Sequence, residues 1–187
     1  MEYILASASP RRQELLARLP IAFTVDPVFC DETLPEDTPA AQAAELLAVR
    51  KAAAAAKLHP NAVVIGADTT VVIEDTILGK PKDRAECCAM LSLLSGRTHS
   101  VYTGVAIFWE GKSLSFTEQT EVGFFPLSER EIIAYADTDE PYDKAGAYGI
   151  QGNAGLFIAG IHGDYYNVMG LPIARLYRQM RKLGICS

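Results

Sequence analysis

The chain lacks the run of about 18 apolar residues that a membrane-crossing helix needs, and its N-terminus lacks a signal-peptide pattern, so the expected compartment is the cytoplasm. Its three histidines, His59, His99 and His162, form no His-x-x-x-His pair. Its four cysteines, Cys30, Cys87, Cys88 and Cys186, show no metal-ligand spacing. A zinc site is therefore not expected, and the cysteines read as reduced thiols. The chain also lacks an excess of positive charge: 17 Lys and Arg against 23 Asp and Glu give a net charge of −6. A general nucleic-acid binder would need a basic face. Nucleotide signatures are missing too. There is no G-x-x-x-x-G-K-[ST] and no G-x-S-x-G. The spacing Gly146-x-x-Gly149-x-x-Gly152 is not the dinucleotide fingerprint G-x-G-x-x-G. No internal repeat and no low-complexity linker interrupts the 187 residues, a length that suits one domain or two small lobes.

Present instead is a periodic, largely apolar chain in which strands alternate with helices. Residues 62–81, AVVIGADTTVVIEDTILGKP, are its centre. Val63-Val64-Ile65 reads as a buried strand, Gly66-Ala67 is small, and Asp68 puts a carboxylate at the end of the apolar run. An ionised Asp there is costly to bury without a partner. Two readings stand: a turn or capping aspartate, or a carboxylate at the mouth of a sheet, where α/β folds place ligands.

Tyr3-Ile4-Leu5-Ala6 is a short strand, and Ser9-Pro10 opens a helix with Ser9 as N-cap. Arg11 and Arg12 lie in its first turn, where cations are unfavourable. They read either as solvated surface arginines or as partners of a polyanion, the reading favoured by the coincidence of hydroxyls, N–H groups and guanidinium. Residues 23–25 form a candidate strand. Residues 26–39 form an acidic loop carrying Asp31 and Glu32, and Thr38 caps a long Ala-rich helix that contains Lys51. The alanine run suits close packing against a sheet. Taken alone, Lys51 is a surface lysine and the acidic pair a solvated loop.

Asp83-x-x-Glu86 and Ser128-x-x-Glu131 resemble capping boxes, with Gly96 closing the first of those two helices. Glu110-Gly111-Lys112 marks a hairpin between two long strands. The stretch 140–152 carries three glycines among charged and polar side chains, more than a connector needs. Residues 155–161 read as strand-like, and Leu171-Pro172 starts a C-terminal helix.

The motifs Leu5-Ala6-Ser7-Ala8-Ser9-Pro10-Arg11-Arg12, Gly66-Ala67-Asp68-Thr69, Gly79-Lys80-Pro81, Ser95-Gly96-Arg97-Thr98-His99 and Asp143-Lys144-Ala145-Gly146-Ala147-Tyr148-Gly149-Ile150-Gln151-Gly152 resemble the Maf family in order and spacing. So do Gly163-Asp164-Tyr165 and Gly170-Leu171-Pro172. The resemblance spans nearly the whole chain, and it implies a single Maf-like domain over residues 1–187, two lobes around one cleft. The implied fold is mixed α/β, an elongated sheet flanked by helices, similar to the inosine triphosphate pyrophosphatases. The implied activity is hydrolysis of nucleoside triphosphates to the monophosphate and pyrophosphate. The chain looks like the branch acting on dTTP and UTP, which pairs Arg12, Thr69 and Gln151. By the same resemblance Asp68 is the proton acceptor, and Glu32, Lys51 and Lys80 match the family's acidic loop residue, helix lysine and GKP lysine.

These residue types suit the chemistry. Arg11, Arg12, Lys51 and Lys80 can clamp a triphosphate, with Ser7 and Ser9 beside them. Glu32 and Asp68 can hold Mg²⁺ or Mn²⁺. Asp68 as base and Asp68 as ligand to a metal-bound hydroxide both remain open, because a metal-bound carboxylate is a weaker base. The implied partner is a nucleoside triphosphate, with no nucleic acid and no membrane; a homodimer is left open. The competing class is a nucleotide-binding regulator of cell division without turnover.

Overall fold

A computed structural model describes residues 1–186 of the protein. Its frame is a mixed seven-stranded sheet built from β1 (Tyr3–Leu5), β2 (Thr24–Val25), β3 (Val63–Ile73), β4 (Thr76–Leu78), β5 (Thr98–Trp109), β6 (Lys112–Phe124) and β7 (Ile158–His162). The strands run in the order β2-β1-β3-β5-β6-β7, with β4 paired to the far end of β3. The helices are α1 (Pro10–Leu16), α2 (Ala40–Leu58), α3 (Arg84–Leu94), α4 (Glu129–Ala136), α5 (Tyr165–Met169) and α6 (Ile173–Lys182). This is the expected mixed α/β architecture, an elongated sheet flanked by helices.

Strand β3 does not stop at the Gly66-Ala67 pair. It runs on through Asp68 to Ile73, so Asp68 sits in mid-strand and not at a strand end. The reason lies across the sheet: β5 pairs with β3 continuously from Val64 to Val72 and carries the backbone through the small residues. The other edge of β3 is treated differently. Parallel β1 pairs with it only as far as Ile65, and antiparallel β4 begins only at Val71. Residues 66–70 therefore have β5 on one side and, among the described residues, no strand on the other.

That gap separates two cores. Val63, Ile65, Ala67, Val105 and Ile107 pack with α1 and α6 through Leu15, Leu16, Leu176 and Met180. Val71, Ile73 and Val101 pack with α3 and α4 through Leu91, Leu94 and Ile132. A third cluster joins Ile4, Val64 and Ala106 to Ala48, Ala52 and Ala55 of α2. The alanine run packs as expected, and glycines facing it complete the fit. A Cβ on Gly66 would stand 2.7 Å from the Ala48 carbonyl oxygen, and one on Gly104 would stand 2.3 Å from Glu45 Cα. The helix thus lies almost on the sheet backbone.

Local signals held unevenly. Ser128 and Glu131 form the full reciprocal capping box. Asp83 accepts from Glu86 N–H at 2.8 Å, but the Glu86 carboxylate accepts from Lys82 N–H rather than from the cap residue. Ser9 stands at the N-cap of α1 without a side-chain capping bond, and α2 starts after Pro39, one residue beyond the expected Thr38 cap. Residues 153–157 wind into a 3₁₀ helix before β7 begins at Ile158. Glu110-Gly111 makes the expected hairpin turn between β5 and β6.

Between β5 and the glycine-rich stretch, His99 is buried at 3% exposure, with its Nε2 2.7 Å from the Tyr148 hydroxyl and its ring edge-on to Phe124. Burial pushes its pKa down to about 4 from an ordinary 6.5. The folded state therefore takes up this proton less readily than the unfolded chain, so the contribution of neutral His99 is complete above about pH 6.5 and is lost as pH falls toward 4. The expected loss across that window is about 2–3 kcal/mol. Denaturation midpoints at pH 7 and pH 4.5 check it. His99→Gln, which cannot be protonated, should lose this part of the acid sensitivity, and an unchanged acid response in the variant would contradict the assignment.

Candidate active site

The gap in the sheet opens into a cleft of about 790 Å³, within the usual range for a small-molecule site. Successive side chains of a strand point to opposite faces. At an unpaired edge, both faces can reach one cavity. Asp68 and Thr69 both line the cleft although they leave β3 on opposite sides.

On the α2 face, the close approach of helix to sheet delivers Lys51 to Asp68. Its ammonium makes a very short hydrogen bond to Asp68 Oδ1 and lies 3.0 Å from Glu32 Oε1. The Asp68 and Lys51 side chains are only 14% and 18% exposed. Burial opposes the Lys51 charge, but Asp68 and then Glu32 outweigh it, and the net pKa is raised. Asp68 Oδ2 takes no bond from the described residues and is left for water, metal or ligand. Asp31 does not share this role. It closes its own turn by accepting from Thr33 N–H at 2.9 Å, while Arg50 donates to the Asp31 and Thr33 carbonyls and pins the loop to α2. That local turn is what directs Glu32 toward Lys51.

On the opposite face, Arg12 is enclosed. It donates through Nε to the Gly170 carbonyl at 2.8 Å, through Nη1 to Ser7 Oγ at 3.2 Å and through Nη2 to Thr69 Oγ1 at 3.0 Å. Burial lowers its pKa, and Asp68 works in the other direction; an arginine remains cationic in either case. Gly170 holds its carbonyl there with φ at 112°, a conformation that disfavours a side chain, and a Cβ would also come within 3.4 Å of Arg12 Nε and Thr69 Oγ1. The unfavourable charge at the start of α1 is thus offset by protein oxygens. Arg11 instead faces Asp143 at 3.8 Å.

Ser9, Arg11, Lys80 and Gln151 all line the same cleft. Ser7 stands just behind it, accepting from Ser9 N–H and Arg12. Every site residue picked out in the sequence is therefore either on the cleft wall or bonded to one that is. Residues that sequence reasoning did not assign also appear. Lys144 lines the cleft and donates to the Glu140 carbonyl and Asp143, both at 2.6 Å. Glu140 accepts from Tyr135 OH and Asn153 N–H at 3.0 Å and so clasps the turn that follows Gln151. Thr70 lines the cleft, and its buried hydroxyl has no hydrogen-bond partner among the described residues. Lys144 lies inside the motif of residues 143–152, but nothing in its spacing marks it as facing inward.

Glu32 and Asp68 suit a divalent cation, because their oxygens already converge on one positive charge, the Lys51 ammonium. Among the described residues there is no group of three His, Cys, Asp or Glu that could hold a metal. Two carboxylates fit an ion that completes its shell with phosphate oxygens and water. A second groove, about 470 Å³, lies between α3 and α4 and shares no lining residue with the cleft; its Arg84 is tied to Asp137 at 2.5 Å.

The family model described as Maf-like protein matches residues 2–183. The chain belongs to the Maf family. A relative from Bacillus cytotoxicus named dTTP/UTP pyrophosphatase is 50% identical over 181 residues, covering 97% of this chain and 95% of the relative. A relative of the same name from Geobacillus sp. is 51% identical over 183 residues, 98% of each. Among solved structures, a HAM1 protein from Coxiella burnetii superposes with a TM-score of 0.54 at 16% identity, covering 97% of this chain and 99% of that one. The Staphylococcus aureus Ham1 protein gives 0.50 at 17% identity over 66% of this chain and 72% of that one. These structural likenesses bear on the fold of this Maf chain, and the fold they share is the mixed α/β one expected. No helix among the described residues is long and apolar enough to cross a membrane.

Proposed function

We propose that this Maf protein hydrolyses dTTP and UTP to the nucleoside monophosphate and pyrophosphate. The observation that carries the reading is the single cleft in which the Glu32–Lys51–Asp68 cluster stands beside Arg11, Arg12, Lys80 and Lys144. A triphosphate needs several cations to bind and one basic oxygen to activate water, and the cleft wall supplies both. The names of relatives about half identical over nearly their full length support the same reading.

In this reading Lys51 holds Asp68 by Oδ1, and Oδ2 takes the proton of the attacking water as the α–β anhydride bond breaks. The water oxygen bonds to one phosphorus of that anhydride and the phosphate group on the other side leaves with the bonding electrons, so the products are monophosphate and pyrophosphate. Arg11, Lys80 and Lys144 neutralise phosphate charge, and Ser7 and Ser9 support the arginines. Arg12, Thr69 and Gln151 face the base. Glu32 and Asp68 would hold Mg²⁺ or Mn²⁺, which on binding supplies charge neutralisation and a more acidic water. The protein is a single two-lobed domain whose cleft separates the two larger cores, and it works in the cytoplasm, where nucleoside triphosphates are abundant.

Incubation with UTP or dTTP and Mg²⁺, followed by product identification, tests this. UMP or dTMP with pyrophosphate is the expected outcome. Orthophosphate with the diphosphate would mean a different hydrolase. Tight binding with no product would return the protein to the class of nucleotide-responsive regulators.

A further inference from the structure

Thr69 lies opposite Thr103 across the β3–β5 ladder, and their hydroxyl oxygens are 2.9 Å apart. A hydroxyl has one proton to give. Thr103, fully buried, gives its proton to the Asn167 carbonyl at 2.9 Å. In the contact between the two threonines, Thr69 must then be the donor. Its other neighbour, Arg12 Nη2, is itself a donor. The Thr69 oxygen therefore offers only a lone pair to the cleft.

The carbonyl that takes the Thr103 proton is itself held in place. Asn167 is fully buried, and its Nδ2 donates to the Val101 carbonyl at 3.0 Å and to Thr120 Oγ1 at 2.9 Å. The Thr120 proton goes to the Asp164 carbonyl at 3.0 Å, so Thr120 can only accept from Asn167. An inverted Asn167 amide would aim its oxygen at two acceptors. Proton direction thus runs one way, from Arg12 to Thr69 to Thr103 to the Asn167 backbone, and the Asn167 side chain ties α5 to β5 and β6.

We propose that Thr103 is a positioning residue for base selection: it fixes Thr69 as an acceptor and so favours a base that presents an N–H there. Arg12 retains a second hydrogen on each of Nη1 and Nη2 beyond those given to Ser7 and Thr69. Acceptor beside donor complements the imide edge of uracil or thymine, whose N3–H is flanked by carbonyls. Cytosine carries a bare N3 at that position and sets lone pair against lone pair. The inference rests on the proposed dTTP and UTP hydrolysis and adds the residue that enforces the choice.

The test is kcat/KM for UTP and CTP on wild type, Thr103→Val, Thr103→Cys and Thr103→Ser. Valine keeps the shape but frees the Thr69 proton, which can then turn toward a cytosine nitrogen. The expected result is a fall of about tenfold in the UTP-to-CTP ratio, with a smaller fall for cysteine, a weak hydrogen-bonding group of similar volume. Serine should keep the wild-type ratio. If valine buries the Asn167 carbonyl too expensively to fold, the cysteine variant decides. A common loss for both nucleotides, with the ratio unchanged in the variants that fold, overturns the inference while leaving the pyrophosphatase reading intact. A wild type that does not prefer UTP to CTP overturns the selectivity reading, and the inference with it.

Discussion

Asp68→Asn is expected to lower kcat for UTP by about 10²–10⁴-fold while leaving the fold in place. The substitution preserves size and hydrogen-bonding reach but removes the charge and the basic lone pair. Lys51 keeps Glu32 as a partner at 3.0 Å, so its ammonium is not stranded. That distinguishes this site from a buried pair in which losing one ion leaves the other uncompensated. Steady-state kinetics, with circular dichroism and thermal melting as controls for the fold, provide the check. Near-wild-type turnover in a folded variant would remove Asp68 from the chemistry. A collapse of the melting temperature would show that the carboxylate is chiefly structural.

The second large effect is expected from Gly104→Ala, a change of one methyl group that alters no charge. Gly104 pairs with Asp68 across β3 and β5. The added Cβ would stand 2.3 Å from Glu45 Cα and N and 2.4 Å from the Ala44 carbonyl carbon. These are helix backbone atoms, which no rotamer change can move aside. Either α2 lifts from the sheet or the sheet bends, and both disturb the delivery of Lys51 to Asp68. Overpacking of this kind costs about 3 kcal/mol or more, about 6–12 °C in melting temperature for a chain of this size. Gly160→Ala is the matched control, because a Cβ there meets nothing within 4 Å. It should stay within about 0.5 kcal/mol of the parent. Equal melting temperatures for the two variants would mean that helix and sheet are not in the close contact described.

Much of the architecture could be read from local pattern. The Ser128 capping box, the Glu110-Gly111 turn and the alanine run of α2 each depend on residues within one turn of one another. The expectation that strand β3 would end near Asp68 was wrong for a non-local reason. Small residues and a carboxylate look like a strand end in isolation, but β5 supplies backbone partners across all of residues 64–72. Thr38 failed as a cap because Pro39 already holds an extended backbone, φ −58° and ψ 134°, just before Ala40. Of the two adjacent acids the resemblance picks out Glu32, and only the fold shows how they differ: Glu32 lies 3.0 Å from Lys51, while Asp31 closes its own turn with Thr33 and Arg50 pins the loop.

The sequence by itself determined the periodic elements, the family and the inventory of charges that a triphosphate would require. These follow from short-range spacing and from motifs whose order along the chain is enough to recognise them. Only the tertiary structure decided which of those charges meet. Arg12 finds Gly170 at a separation of 158 residues, and Lys51 finds Asp68 because two facing glycines let a helix lie on the sheet. The direction of the proton in the Thr69–Thr103 pair was likewise decided by Asn167, 64 residues beyond Thr103. Hydrogen-bond polarity depends on what every neighbour has left to give, and neighbours are a property of the fold.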